Sequence, residues 1–356
     1  SMKIVITVLA VLASAGLAQA ALVGNGNLVV FQAGPTIANN APFNLIEVNS
    51  AGVNQTLPVQ TFNVSGASSN PMWTSASATS TGYLSLSQDR QRVQFTGHTM
   101  RGTGMPLPNI NTIAARGVGS LDTNFNYSQL ATYTGNSGSQ TRSAALRTGG
   151  DLFIIDQGGI YAPSGTAPAL VSNVRNARTF GGTSFVLQQS SVVTTIVVNA
   201  LGGTPAAPTI TGLAGLTNNN AAQDFYMVEA STGSGFNLLY LTTTAGFSKF
   251  ELVSGSWVAR GTATVTGGLF GLAAQTTANG VQLFATTGSG AGNANTVTSW
   301  FDTATASSAI ALSTPTVIFT AGPNTTLKGI ELVPVPTPGA AALLGMGMLA
   351  AGRRRR

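Results

Sequence analysis

Cysteine is absent from the 356 residues. That excludes a disulfide framework, a thiol nucleophile and any cysteine-based zinc centre. Charge is scarce as well: Asp, Glu, Lys and Arg make up 7% of the chain, against about 25% in ordinary soluble domains. His98 is the only histidine, so a zinc site has almost no ligands to draw on. Between Ala21 and Pro334, apolar residues at helical spacing over three turns are almost entirely missing, which argues against helices. Apolar residues still reach 43%. This separates the chain from disordered sequences, which combine low hydrophobicity with high net charge, and a core of this size needs no covalent staples.

The formal charge of +6 suggests an acidic partner until the basic residues are located. Lys3 and the four arginines Arg353, Arg354, Arg355 and Arg356 stand at the two ends, and the interior is close to neutral. Its arginines are scattered along the chain, whereas tracking a phosphate backbone needs a dense basic face. Nucleic acid is therefore not an expected partner.

Both ends carry sorting information. Lys3, the apolar run Ile4 to Leu17 and the small-x-small step Ala18-Gln19-Ala20 have the three parts of a secretory signal, with cleavage by signal peptidase expected after Ala20. At the other end, Pro336-Thr337-Pro338 is followed by the apolar run Gly339 to Gly352 and the four arginines. This tail resembles the C-terminal sorting signal of bacterial exosortase substrates, the Pro-Glu-Pro (PEP-CTERM) type, with Thr337 in the place of the family's Glu. The resemblance implies that Pro336, Thr337 and Pro338 are the recognition element of an exosortase-type protease. It also implies that Ala340 to Ala351 is a transient membrane anchor and that Arg353 to Arg356 are its cytoplasmic stop. The apolar run would span only about 21 Å as a helix, short of the roughly 30 Å hydrocarbon core, and bilayer thinning with arginine snorkelling would absorb the mismatch. The division expected is a signal peptide over 1–20, an ectodomain over 21–334 and a sorting signal over 335–356, in a protein exported to the envelope, cell surface or extracellular matrix.

The ectodomain reads as all-β. Short β-branched or aromatic runs recur, among them Leu28-Val29-Val30-Phe31, Val93-Gln94-Phe95-Thr96, Leu152-Phe153-Ile154-Ile155, Thr195-Ile196-Val197-Val198 and Val281-Gln282-Leu283-Phe284. Turn signals such as Gly149-Gly150, Gly158-Gly159, Gly181-Gly182 and Asn279-Gly280 separate them. A weak repeat can be anchored on Leu84, Ala144, Ala177, Phe225, Leu269 and Ile330, with intervals from 33 residues (Ala144 to Ala177) to 61 (Leu269 to Ile330). These scatter around the ~40 to 50 residues of a four-stranded propeller blade. The last strand, Leu327 to Val333, has no partner after it, and Leu28 to Gln32 lacks a beginning to its own blade. Pairing the two would close a ring and remove both open edges. The expectation is a β-propeller of six blades, or seven if the Leu84 to Ala144 interval hides another, with paired β-sandwiches as the alternative. Over most of its length the body resembles β-propeller ectodomains of exosortase-sorted proteins.

Candidate chemistry is sparse. His98 stands at a probable strand end without a Gly-x-Ser-x-Gly elbow, as expected of a hydrogen-bonded loop imidazole. Ser87-Gln88-Asp89-Arg90-Gln91 reads as a hairpin turn capped by its Asp. Carboxylates for polysaccharide hydrolysis would come from Asp89, Asp122, Asp151, Asp156, Asp224, Glu229, Glu251 and Asp302, with Asp151 and Asp156 on opposite faces of one strand. Trp73, Trp257 and Trp300 could form a sugar platform but are expected to pack between blades. Nothing implies a catalytic residue, a cofactor or a metal. The composition favours a non-catalytic propeller presenting hydroxyl and amide groups to glycans or envelope components. The alternative, a polysaccharide lyase or glycoside hydrolase, would need two carboxylates about 5 to 9.5 Å apart in an open central funnel.

Overall fold

The structure, a computed structural model, describes residues 26–334 except 191, 193, 194, 232, 292 and 293. Ala18, Ala20, Pro336, Thr337, Pro338 and Arg353 to Arg356 lie outside the described residues.

The chain enters through β1 (Leu28–Ala33), β2 (Phe43–Val48) and β3 (Gln60–Asn63). A second sheet follows from β4 (Ser85–Leu86), β5 (Arg92–His98), β6 (Ala115–Asp122) and β7 (Tyr127–Thr134). The third holds β8 (Thr141–Leu146), β9 (Leu152–Asp156) and β10 (Gly159–Tyr161); the fourth holds β11 (Val174–Phe180), β12 (Thr183–Gln188), β13 (Val198–Thr204) and β14 (Ala207–Gly212). Then come β15 (Ala222–Glu229), β16 (Phe236–Thr243), β17 (Gly246–Val253) and β18 (Ser256–Thr264), and after them β19 (Leu269–Thr277), β20 (Gly280–Thr287), β21 (Thr296–Asp302) and β22 (Thr316–Thr320). The last strand, β23 (Thr326–Leu332), returns to the first sheet, whose order is β23-β1-β2-β3.

This is a six-bladed β-propeller, closed by antiparallel pairing of β1 with β23 in the register Leu28 to Leu332 and Val30 to Ile330. Five blades have four strands. The third has three, and Leu170 supplies only an isolated bridge to Ile160 where a fourth strand would lie. The shortest repeat interval, Ala144 to Ala177, is thus the blade that lost its outer strand. No seventh blade occupies the Leu84 to Ala144 interval; β5, β6, β7 and a long loop between β5 and β6 fill it. The six repeat anchors fall on or beside the innermost strands β4, β8, β11, β15, β19 and β23.

Burial follows distance from the axis. All seven residues of β23 are buried, whereas the outermost strands β14 and β18 are mostly exposed. Aromatic rings fill the seams between blades: Phe43 meets Phe95 edge-on at 5.9 Å, Phe180 meets Tyr226 at 5.1 Å and Phe247 meets Trp300 at 5.2 Å. Such contacts add to the burial of large apolar surfaces. Two seams also hold fully buried ion pairs, Arg116 with Asp156 and Lys249 with Asp302, each with a tyrosine hydroxyl donating to the Asp: Tyr133 in one, Tyr240 in the other.

Glycine lets the inner strands approach closely. A Cβ on Gly329 would sit 2.4 Å from the Gly82 carbonyl oxygen, and one on Gly271 would sit 2.5 Å from that of Lys328. Both obstacles are backbone, so no side-chain movement relieves them.

Candidate functional site

The axis is filled. Arg178 reaches from β11 across the centre, pairing with Asp224 of β15 at 2.8 Å and with Glu331 of β23. It also donates to the carbonyl of Leu272 on β19 at 2.7 Å, so one guanidinium ties together four inner strands. Its face lies over the Tyr226 ring at 4.9 Å, and the Tyr226 hydroxyl donates to Glu331 at 2.9 Å. Asp224 further accepts from the Asn176 side chain and the amides of Phe225 and Leu272. Burial alone would lower the pKa of Arg178, but Asp224 and Glu331 outweigh it and hold the guanidinium above its ordinary value. Burial pushes the Glu331 carboxyl up, against Arg178, the Leu332 amide and the Tyr226 hydroxyl.

Two carboxylates therefore converge at the centre, but both are shut away from solvent and consumed by one arginine. A glycosidase pair needs an open pocket between its carboxyls. The remaining acids do not converge. Asp89 caps its turn as expected, accepting from Ser87 Oγ and the Gln91 amide. Asp122 holds the amides of Asn124 and Asn126, and Glu251 pairs with Arg260. Asp156, at the end of β9, is buried, while Asp151, just before the strand begins, is exposed. His98 ends β5; its Nδ1 bonds the Ile113 carbonyl, and burial with the nearby Arg116 charge lowers its pKa to about 3. It is a neutral structural imidazole. Trp257 and Trp300 are buried in the packing, as expected.

The plug leaves two mouths. At the exit mouth, where the inner strands end, a pocket of about 720 Å³ opens between the fifth, sixth and first blades, within the range of small-ligand sites. Tyr226, Glu229, Phe236, Gln275 and Thr276 line it, together with Arg90. Arg90 comes from the Ser87 to Gln91 turn, where its φ of 58° is a left-handed conformation uncommon outside glycine. The Arg90 amide donates to the Ser87 carbonyl at 2.8 Å, fixing that turn. Its guanidinium makes no hydrogen bond or ion pair among the described residues, yet lies close enough to Tyr226 and Glu331 to lower the pKa of both. The Asp cap of this turn is legible in the sequence, whereas the role of Arg90 beside it emerges only when the blades close around the pocket. The central carboxylate Glu331 carries one signal in the sequence, a lone acid inside the ring-closing strand.

No family model matches the chain, and no curated protein does. Among solved structures, similarity extends to the dihydro-heme d1 dehydrogenase NirN, at 14% identity and a TM-score of 0.40 over 82% of this chain. The chain spans about half of that protein's length, 53%. A protein from Lactobacillus plantarum is 11% identical with a TM-score of 0.45, covering 85% of this chain and 99% of its own. A protein of unknown function from Bacteroides caccae is 9% identical with a TM-score of 0.40, covering 84% and 98% respectively.

Proposed function

We propose that this chain is an exported envelope, cell-surface or matrix protein whose propeller is a non-catalytic glycan-binding module, with the exit-mouth pocket as its site. The observation that carries the reading is the unpartnered Arg90 guanidinium, set by a left-handed turn at the edge of a sugar-sized pocket. Phe236 offers an apolar face for a pyranose ring, and Gln275, Thr276 and Glu229 add amide, hydroxyl and carboxylate groups around it. Arg90 and Glu229 offset one another, and the plug beneath carries one more carboxylate than arginine. The pocket therefore has no surplus of positive charge and suits a neutral, hydroxyl-rich ligand.

Export rests on the two sequence signals. It would deliver the protein through signal peptidase, with transient membrane insertion of the tail before an exosortase-type protease removes it. Native protein recovered outside the cell should then lack Arg353 to Arg356 by intact mass, and their presence there would refute the sorting reading. For the pocket, calorimetric titration with neutral oligosaccharides released from the producing organism's envelope should show binding that weakens at least tenfold in Arg90→Ala and Phe236→Ala. Equal affinity in both variants would refute the site. New reducing or unsaturated ends on incubation with intact polysaccharide would turn the reading to a hydrolase or lyase.

A further inference from the structure

The entry mouth, where the inner strands begin, differs in charge. Arg142 is the second residue of β8, Arg175 the second of β11 and Lys328 the third of β23, positions that a propeller gathers around its axis. The three are connected. Arg175 donates to the Tyr83 hydroxyl at 3.3 Å and to Gln223 at 2.7 Å; the Tyr83 ring stacks on Phe270 at 4.8 Å; Lys328 Nζ lies 6.0 Å from the Phe270 ring centre. Backbone joins the remaining member, since the Tyr83 amide donates to the Arg142 carbonyl.

None of these three cations has a carboxylate partner among the described residues. Arg142 donates to Asn173 Oδ1, the Val174 carbonyl and Ser80 Oγ. Arg175 uses the amide oxygens of Gln189 and Gln223 with Tyr83, and Lys328 uses the carbonyls of Ala78 and Gly290. The nearest acids are committed elsewhere, Asp224 to Arg178 and Asp156 to Arg116. Arg142 and Lys328 are buried, where unpaired charge is costly. The strain on them is visible: burial brings Lys328 down to about 7, and burial together with the Arg175 charge brings Arg142 down to about 10. One donor is also left over, since Arg142 Nε is buried without any acceptor. Arg175 is only half-buried.

We propose that the entry mouth is an oxyanion-binding site, in which a carboxylate, sulfate or phosphate group is held by Arg175 and supplies the acceptor that Arg142 Nε lacks. A guanidinium fork matches such groups through paired, charge-assisted hydrogen bonds. Buried cations of one sign at a low-dielectric mouth focus the field that draws an anion in. The two mouths then differ in kind: the exit pocket is near neutral, and the entry mouth is cationic. The entry site stands independently of the glycan reading, because neither Arg90 nor the exit pocket takes part in it.

The test uses the ectodomain and three separate probes: sodium sulfate, inorganic phosphate and sodium glucuronate, each titrated at low chloride. Guanidinium Nε–H resonances of Arg142 and Arg175 should move saturably with at least one probe, and those of the exposed Arg101 should not. The probe that binds most tightly assigns the source of the oxyanion. Arg175→Gln, which retains a side chain able to bond Gln223, should raise Kd at least tenfold, and 0.5 M NaCl should weaken the wild-type interaction similarly. No saturable shift at Arg142 or Arg175 with any probe would overturn the proposal in the wild type, whatever the folding of the variant. So would equal movement of Arg101 and Arg175, which means general ion pairing at the surface.

Discussion

Replacing Arg178 by Met tests whether the axial plug holds the ring together. The substitution keeps an unbranched side chain but removes the charge that serves both Asp224 and Glu331. Asp224 would retain three neutral donors, from Asn176, Phe225 and Leu272. Glu331 would retain the Tyr226 hydroxyl and the Leu332 amide, and no positive partner in contact. Leaving one member of a buried ion pair uncompensated costs about 3 to 5 kcal/mol, so Arg178→Met should lose about that much in urea melts at pH 7.5. The loss should depend on pH. Burial already raises Glu331 in the wild type, and without Arg178 the folded-state pKa rises further above the unfolded value. The folded variant therefore keeps a proton that the unfolded chain releases: stability is retained below the unfolded pKa and lost as pH climbs through the folded one. The deficit at pH 5 should accordingly be smaller than at pH 7.5. Adding Glu331→Gln should recover at least about 1 kcal/mol at pH 7.5, because it removes the stranded charge. A loss below about 1 kcal/mol, or the same loss at both pH values, would refute the view that this network locks the inner strands.

Two further outcomes follow from the packing and from His98. Gly329→Ala should destabilise by about 1 to 3 kcal/mol, since its Cβ meets the Gly82 carbonyl at 2.4 Å; an unchanged melting temperature would show that the inner strands can separate freely. His98, lowered to about 3, stays neutral when folded while the unfolded chain takes up a proton below about 6.5, so stability should fall by up to about 1.4 kcal/mol per pH unit on acidification from 6.5 towards 3. His98→Gln should flatten that slope between pH 6.5 and 5, above the range of most carboxylates, and an identical slope would reject the assignment.

The architecture was legible because the second strand of several blades reads as a compact apolar run, Leu28 to Phe31 in β1, Val93 to Thr96 in β5, Leu152 to Ile155 in β9 and Val281 to Phe284 in β20, and the weak repeat anchored beside them places the inner strands. Leu84, Ala144, Ala177, Phe225, Leu269 and Ile330 locate all six. Outer strands were harder. β14 and β18 are mostly exposed, and their Thr-, Ala- and Gly-rich sequences resemble loops. Thr195 to Val198 reads as a strand in the sequence, but β13 begins only at Val198. The Asn199 side chain donates to the Ile196 carbonyl at 2.8 Å, a local bond that competes with ladder pairing. The site was less legible. Arginines far apart in sequence looked dispersed, because linear spacing hides what a ring brings together: Arg142, Arg175 and Arg178 occupy the inner strands of adjacent blades and meet around one axis.

The closing strand pair also determines how the molecule bears load. β1 begins at Leu28 directly opposite Leu332, where β23 ends, and the Val333 amide reaches the Asn27 carbonyl just beyond them. The two ends of the propeller therefore leave side by side from the same end of the same sheet. Tension applied between them would not shear the whole row of hydrogen bonds at once. It would part the strands as a zipper parts, one rung after another from Leu332 towards Thr326, so each rung would meet the pull in turn rather than sharing it with the rest.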